Sequence, residues 1–133
     1  MLGRHDAREA AFKALFALNA NPDADRETVN VDALPAGEET PSYMTELVDG
    51  VLAHQAELDA AITTRLKAGW RIDRLTKPDL ITLRLGLYEI QYEPIPDKVA
   101  IDEAIELAKK YSDDKAAKFV NGILAHFVKP DQK

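Results

Sequence analysis

The sequence predicts an all-α fold, and three observations carry that prediction. Apolar residues recur at three- and four-residue spacing through every sustained segment, the period of a helix with one buried face. Proline, glycine and capping residues fall between those segments rather than inside strand-like runs. No stretch alternates apolar and polar residues for more than a few positions, as a half-buried strand would. At 133 residues the chain has the length of one domain, and 1–133 is read as a single unit.

The first helix is expected over 5–19, where Ala7, Ala11, Ala14, Leu15 and Leu18 form a stripe widened by Phe12 and Phe16. Pro22 follows Asn21 and cannot continue the hydrogen-bond ladder. Residues 21–40 lack periodicity and read as an acidic, solvated loop with at most one short turn around Thr28–Leu34. Helix resumes after Pro41, with Ser42 placed to act as N-cap. Tyr43, Leu47, Val51, Leu58, Ile62 and Leu66 continue the stripe, with a break near His54–Glu57 and an end at Lys67–Gly69.

Trp70–Leu75 reads as a linking turn in which both Trp70 and Leu75 cap a core. From Pro78, a favourable first-turn residue, a helix runs to about Tyr92 with little polar surface, so it should be central. The next, from about Pro96 to Tyr111, turns Ile101, Ala104, Ile105, Ala108 and Tyr111 inward. Its acids lie at the start and Lys109 and Lys110 at the end, as the helix dipole favours. Ser112–Asp114 caps a last helix that faces Ala116, Val120, Leu124 and Phe127 inward. Pro130 ends it, and 129–133 should fray.

Composition excludes several function classes. No apolar run approaches the roughly 18 residues of a membrane span, and no small-residue cleavage site follows the N-terminal apolar stretch. There is no cysteine, so disulfides and thiolate metal sites are excluded and a cytoplasmic location is expected. His5, His54 and His126 lack metal-ligand spacing, Gly86 and Gly122 are isolated, and Ser42 and Ser112 sit at helix starts. No cofactor and no catalysis are therefore expected.

The net charge of −6 runs against nucleic-acid binding, but it is unevenly spread. Residues 21–60 hold ten acids against the single base Arg26, leaving 13 acids and 16 bases elsewhere. Arg4, His5 and Arg8 can line one edge of the first helix, either as a solvated face or as a grip on phosphates. Phe119 has two readings as well: a core residue, or an edge aromatic flanked by Lys115 and Lys118 on which a base could stack. Asp79 opens the central helix, where the dipole alone would explain an acid.

Three segments carry a family resemblance: Leu83-Arg-Leu-Gly-Leu-Tyr-Glu-Ile90, the amphipathic stretch Pro96–Tyr111, and Lys118-Phe-Val-Asn-Gly-Ile-Leu124. Together they resemble the NusB transcription antitermination family, from about Arg4 to Leu124. The resemblance implies a compact helical domain of two small bundles sharing one core. It also implies binding of boxA-type RNA together with the ribosomal protein NusE, within an RNA polymerase antitermination complex, as monomer or homodimer.

On this resemblance Arg4, His5 and Arg8 fall on the family's arginine-rich RNA-contacting start, although Asp6 stands where another cation is expected. Phe119, Val120, Asn121 and Gly122 match its RNA-associated motif, and Lys115 replaces an acid. Asp79 matches an acidic position at the NusE interface. Arg84, Tyr88 and Glu89 are family markers expected to pack and form ion pairs internally. The competing readings are a helical protein-binding scaffold and the NusB-like module of an RNA methyltransferase, the latter disfavoured because no methyltransferase region follows before Lys133.

Overall fold

The computed structural model describes residues 2–129, and among them every regular element is helical. Helix α1 (Arg4–Ala20) presents Ala7, Ala10, Ala11 and Ala14 as a small-residue face. Without bulky side chains there, the backbone of a neighbouring helix can come close. The Asn21 amide closes the helix on the Ala17 carbonyl at 3.0 Å, and the chain turns at Pro22.

The acidic segment is not all loop. Helix α2 (Arg26–Asp32) forms because the Asp25 side chain caps it, accepting from the Thr28 amide at 3.0 Å and the Thr28 hydroxyl at 2.8 Å. Asn30 and Leu34 bury against the rest of the fold, so tertiary contact supplies what a seven-residue helix lacks alone.

Helices α3 (Ser42–Ala53) and α4 (Gln55–Thr63) break at His54, within the expected window. Two boundaries differ from expectation. Pro41, not Ser42, is the N-cap of α3, and no side chain caps it. Helix α4 stops at Thr63, short of Lys67–Gly69. The Thr63 and Thr64 hydroxyls donate to the carbonyls of Asp59 and Ala61, a local alternative that competes with helix continuation. Gly69 then reverses the chain at φ +88°, a conformation that favours glycine.

The linker ends in a 3₁₀ turn (Ile72–Arg74) that sends Leu75 into the core. Trp70 does not follow it. The indole is 52% exposed, so the expectation that it caps the core is corrected: the turn begins after Trp70 and redirects only the residues beyond it.

Helix α5 (Lys77–Tyr92) is central, as expected. Every residue from Leu80 to Ile90 is buried, and α1, α3, α4, α6 and α7 all contact it. Helices α6 (Asp97–Tyr111) and α7 (Asp114–Leu124) complete the second group, with Asp113 capping α7 through the Ala116 amide at 2.8 Å. The inward stripes are rotated slightly from those expected. In α6 Ala100 and Leu107 take buried positions while Ile105 and Tyr111 are half-buried. After α7, Phe127 in the 3₁₀ turn Ala125–Phe127 is also only half-buried.

Lys129 is anchored rather than frayed. Its amide donates to Asp97 Oδ2 at 2.9 Å and its ammonium to the Ile90 carbonyl at 2.6 Å. The expectations for Pro130 and the final residues lie outside the described residues.

Two glycines show why α5 can be so enclosed. A β-carbon on Gly50 would stand 2.2 Å from the Tyr88 ring, and one on Gly86 would stand 2.7 Å from Leu124 Cδ1 and 3.1 Å from the Ala104 β-carbon. Gly122, by contrast, has nothing within 4 Å of that point. Substituting alanine should therefore have opposite effects at the two helical sites. Gly86→Ala should cost about 1–2 kcal/mol, as overpacking outweighs the gain in helix propensity, while Gly122→Ala should gain up to about 1 kcal/mol. Urea denaturation of both variants measures the two signs.

Candidate nucleic-acid interface

The exposed end of α1 and the outer face of α7 hold the cations singled out from sequence, but the structure gives them different roles. Arg8 is only 3% exposed. Its Nε donates to both oxygens of Glu89, at 2.7 and 2.9 Å, and its Nη1 lies 3.2 Å from Glu103. The Tyr43 hydroxyl donates to the same Glu89 at 2.5 Å. Burial works against the Arg8 charge, but the Glu89 bonds outweigh it and hold the guanidinium pKa above its ordinary value. Burial and the Glu89 bond together push the Tyr43 phenol well up. The expectation that Arg8 lines a phosphate-binding edge is thus corrected: its fork is consumed by two internal carboxylates.

Arg4 and His5 remain at the surface. The Arg4 guanidinium sits 4.9 Å from the centre of the Tyr43 ring, a cation–π contact that orients the charge without neutralising it. His5 Nδ1 lies 2.8 Å from Glu103 Oε1, and the hydrogen bond and charge of Glu103 raise its pKa above 6.5. The pairing of protonated His5 with Glu103 therefore contributes stability that is fully present below pH 6.5 and is lost as pH rises through the raised value. His5, Glu103 and Glu106 bring ligand atoms within 4.8 Å of one another. However, His5 and Glu103 bond each other and Glu103 also pairs with Arg8, so the cluster is satisfied without an ion.

On α7, Lys115 and Lys118 are exposed and form no ion pair among the described residues. Phe119 is half-buried, packed against the core on one side and lining a surface groove with Lys118 and Gly122 on the other. No hydrogen bond, ion pair or ring contact among the described residues joins this set to Arg4 and His5. Asp79 lies in the first turn of α5, its amide 3.4 Å from Thr76 Oγ1, and its Oδ1 is shielded from solvent without a hydrogen bond from a described residue.

The family markers pack internally. Arg84 grips Asp59 through two bonds of 2.7 and 2.8 Å, and Tyr88 stacks on Tyr92 over Gly50.

The NusB family model matches residues 5–129. The chain belongs to the NusB family. The transcription antitermination protein NusB of Lacticaseibacillus casei is 63% identical over 129 residues, covering 96% of each chain. Among solved structures, T. maritima NusB superposes with a TM-score of 0.86 at 34% identity, covering 99% of this chain and 94% of that one. A crystal structure of antitermination factors NusB and NusE in complex with dsRNA gives a TM-score of 0.80 at 29% identity, covering 93% of this chain and 94% of that one.

Sequence reasoning misplaced two residues of this surface. Tyr43, read only as part of a stripe, links Arg4 to the buried network. Trp70, read as a core cap, is exposed in the groove beside Phe119; the cations Arg65 and Lys67 around it in sequence were the available signal.

The split between Arg8 and Arg4 is testable by stability alone. Arg8→Ala should cost about 3–5 kcal/mol, because it leaves a buried carboxylate unpaired, whereas Arg4→Ala should stay within about 0.5 kcal/mol, as for most surface substitutions. Thermal or urea melts of the two single variants read the difference directly.

Proposed function

We propose that the protein is a bacterial transcription antitermination factor that binds boxA-type single-stranded RNA jointly with NusE. The assembly makes RNA polymerase resist termination, chiefly in ribosomal RNA operons. One observation carries the reading: the chain follows the NusB fold over 93% of its length in a neighbour solved with NusE and dsRNA, which supports joint binding of NusE and RNA. No described helix is long and apolar enough to cross a membrane, which suits a factor working on nascent transcripts in the cytoplasm.

The function is assembly rather than catalysis. Arg4 and Lys118 hold phosphates, Lys115 and protonated His5 add positive field, and the exposed side of Phe119 stacks on a base. Single-stranded RNA is the preferred form because a side chain can stack only on a base freed from its neighbours. Arg8 contributes indirectly, fixing the α1 start through Glu89 and Glu103. Asp79 is assigned to the NusE contact. The residue is half-buried in the first turn of α5 and forms no ion pair among the described residues, which leaves its charge available to a partner's cation.

Titration of labelled boxA RNA with and without NusE tests the reading. Binding should be tightest with NusE, exceed that of a scrambled RNA, and weaken with salt. Each of Arg4→Ala and Lys118→Ala should reduce the salt slope by about 0.7, the counterion release of one single-strand phosphate contact. Equal affinity for scrambled RNA and no salt dependence would leave only a protein-binding scaffold.

The partner side has its own test. Asp79→Lys should weaken NusE association by about 2–5 kcal/mol if the carboxylate is buried and bonded there, with RNA binding by the isolated protein unchanged. Calorimetry with NusE, alongside a melt of the variant, measures both.

A further inference from the structure

Trp70 is the only tryptophan of the chain, and it is left 52% exposed at the α4–α5 linker. It does not stand alone. Trp70 and Phe119 line the same groove of about 390 Å³, with Leu66 and Ile123 supplying further apolar wall. Gly122 lines it too, and nothing stands within 4 Å of where its β-carbon would be, so the missing side chain keeps the groove open without serving the core. Glycine inside a helix costs stability relative to alanine, and here no packing contact requires it.

The charge around this groove is one-sided. Its polar rim is Arg65, Lys67 and Lys118, with no acidic residue among the lining groups, on a chain of net charge −6. None of the three cations forms an ion pair among the described residues. The other basic cleft, beside His5 and Lys110, is by contrast interleaved with Glu9, Glu103 and Glu106. An apolar groove lined by two aromatic side chains and rimmed only by positive charge is complementary to a group with a flat π-face and a negative backbone.

We propose that Trp70 is a base-stacking residue. The groove it lines with Phe119 takes one unpaired RNA base, and Arg65, Lys67 and Lys118 hold the adjoining phosphates. This rests on the RNA-binding function above and extends the contact surface from α7 onto the α4–α5 linker.

The lone tryptophan supplies the readout. Titrating the full chain with boxA RNA should change Trp70 emission, saturating where the anisotropy of labelled RNA saturates. Trp70→Ala should weaken RNA binding on the order of tenfold or more while melting like the parent. Trp70→Phe should keep most of the affinity, because a smaller ring still stacks. Arg65→Ala with Lys67→Ala should flatten the salt slope without altering the melt.

Parental RNA affinity in Trp70→Ala, together with unchanged Trp70 emission in a parent that binds RNA, would overturn the groove proposal and leave the RNA-binding function standing. Loss of NusE affinity alone in Trp70→Ala would make the groove a protein site and equally overturn the proposal. A parent that binds no boxA RNA even with NusE would instead remove the function on which the proposal rests.

Discussion

The structure is organised around a carboxylate in the wrong solvent. Glu89 is 1% exposed, in the middle of a helix whose neighbours are apolar. A charge so placed would be very costly unless paired and hydrogen-bonded. Arg8 from α1 and Tyr43 from α3 meet that demand, and Arg8 passes on to Glu103 of α6. Four helices are thereby tied at one point in three dimensions. Apolar packing alone tolerates sliding between helices of similar size, whereas a charge-assisted hydrogen bond from Arg8 Nε to both Glu89 oxygens is directional.

That constraint shapes the surface above it. Tyr43, held by its hydroxyl to Glu89, offers its ring to Arg4. Glu103, already drawn toward Arg8, also receives His5. The exposed cations at the start of α1 are thus placed by a buried network rather than by the helix alone. The α7 surface is arranged differently. There the helix packs closely through Ala116, Ala117, Val120 and Leu124 and leaves Lys118 and Gly122 outside. Lys115 and Lys118 there form no ion pair among the described residues.

The close approach of α6 and α7 to α5 depends on small residues at the crossing. Gly86 meets Ala104 and Leu124 with no room for a methyl group, so a glycine that looks isolated in the sequence is a spacing device in the fold. Gly122 has no such role, and the contrast separates a glycine needed for packing from one needed at a surface.

The sequence by itself determined the helical class, the break at His54, the centrality of α5 and a cap within Ser112–Asp114, which Asp113 supplies. These follow from short-range periodicity and local hydrogen bonds, which a linear chain displays directly. It also carried the motif residues that place the chain in the NusB family. Tertiary structure alone decided which cations are free. Arg4 and Arg8 are four residues apart and equivalent on a helical wheel, yet one faces solvent and the other meets Glu89, 81 positions away. It decided the fate of Trp70 as well, since whether an indole after a linker turns inward depends on where the 3₁₀ turn starts and on what α7 leaves uncovered. Burial and charge pairing are long-range properties: they depend on partners that the local pattern around a residue does not contain.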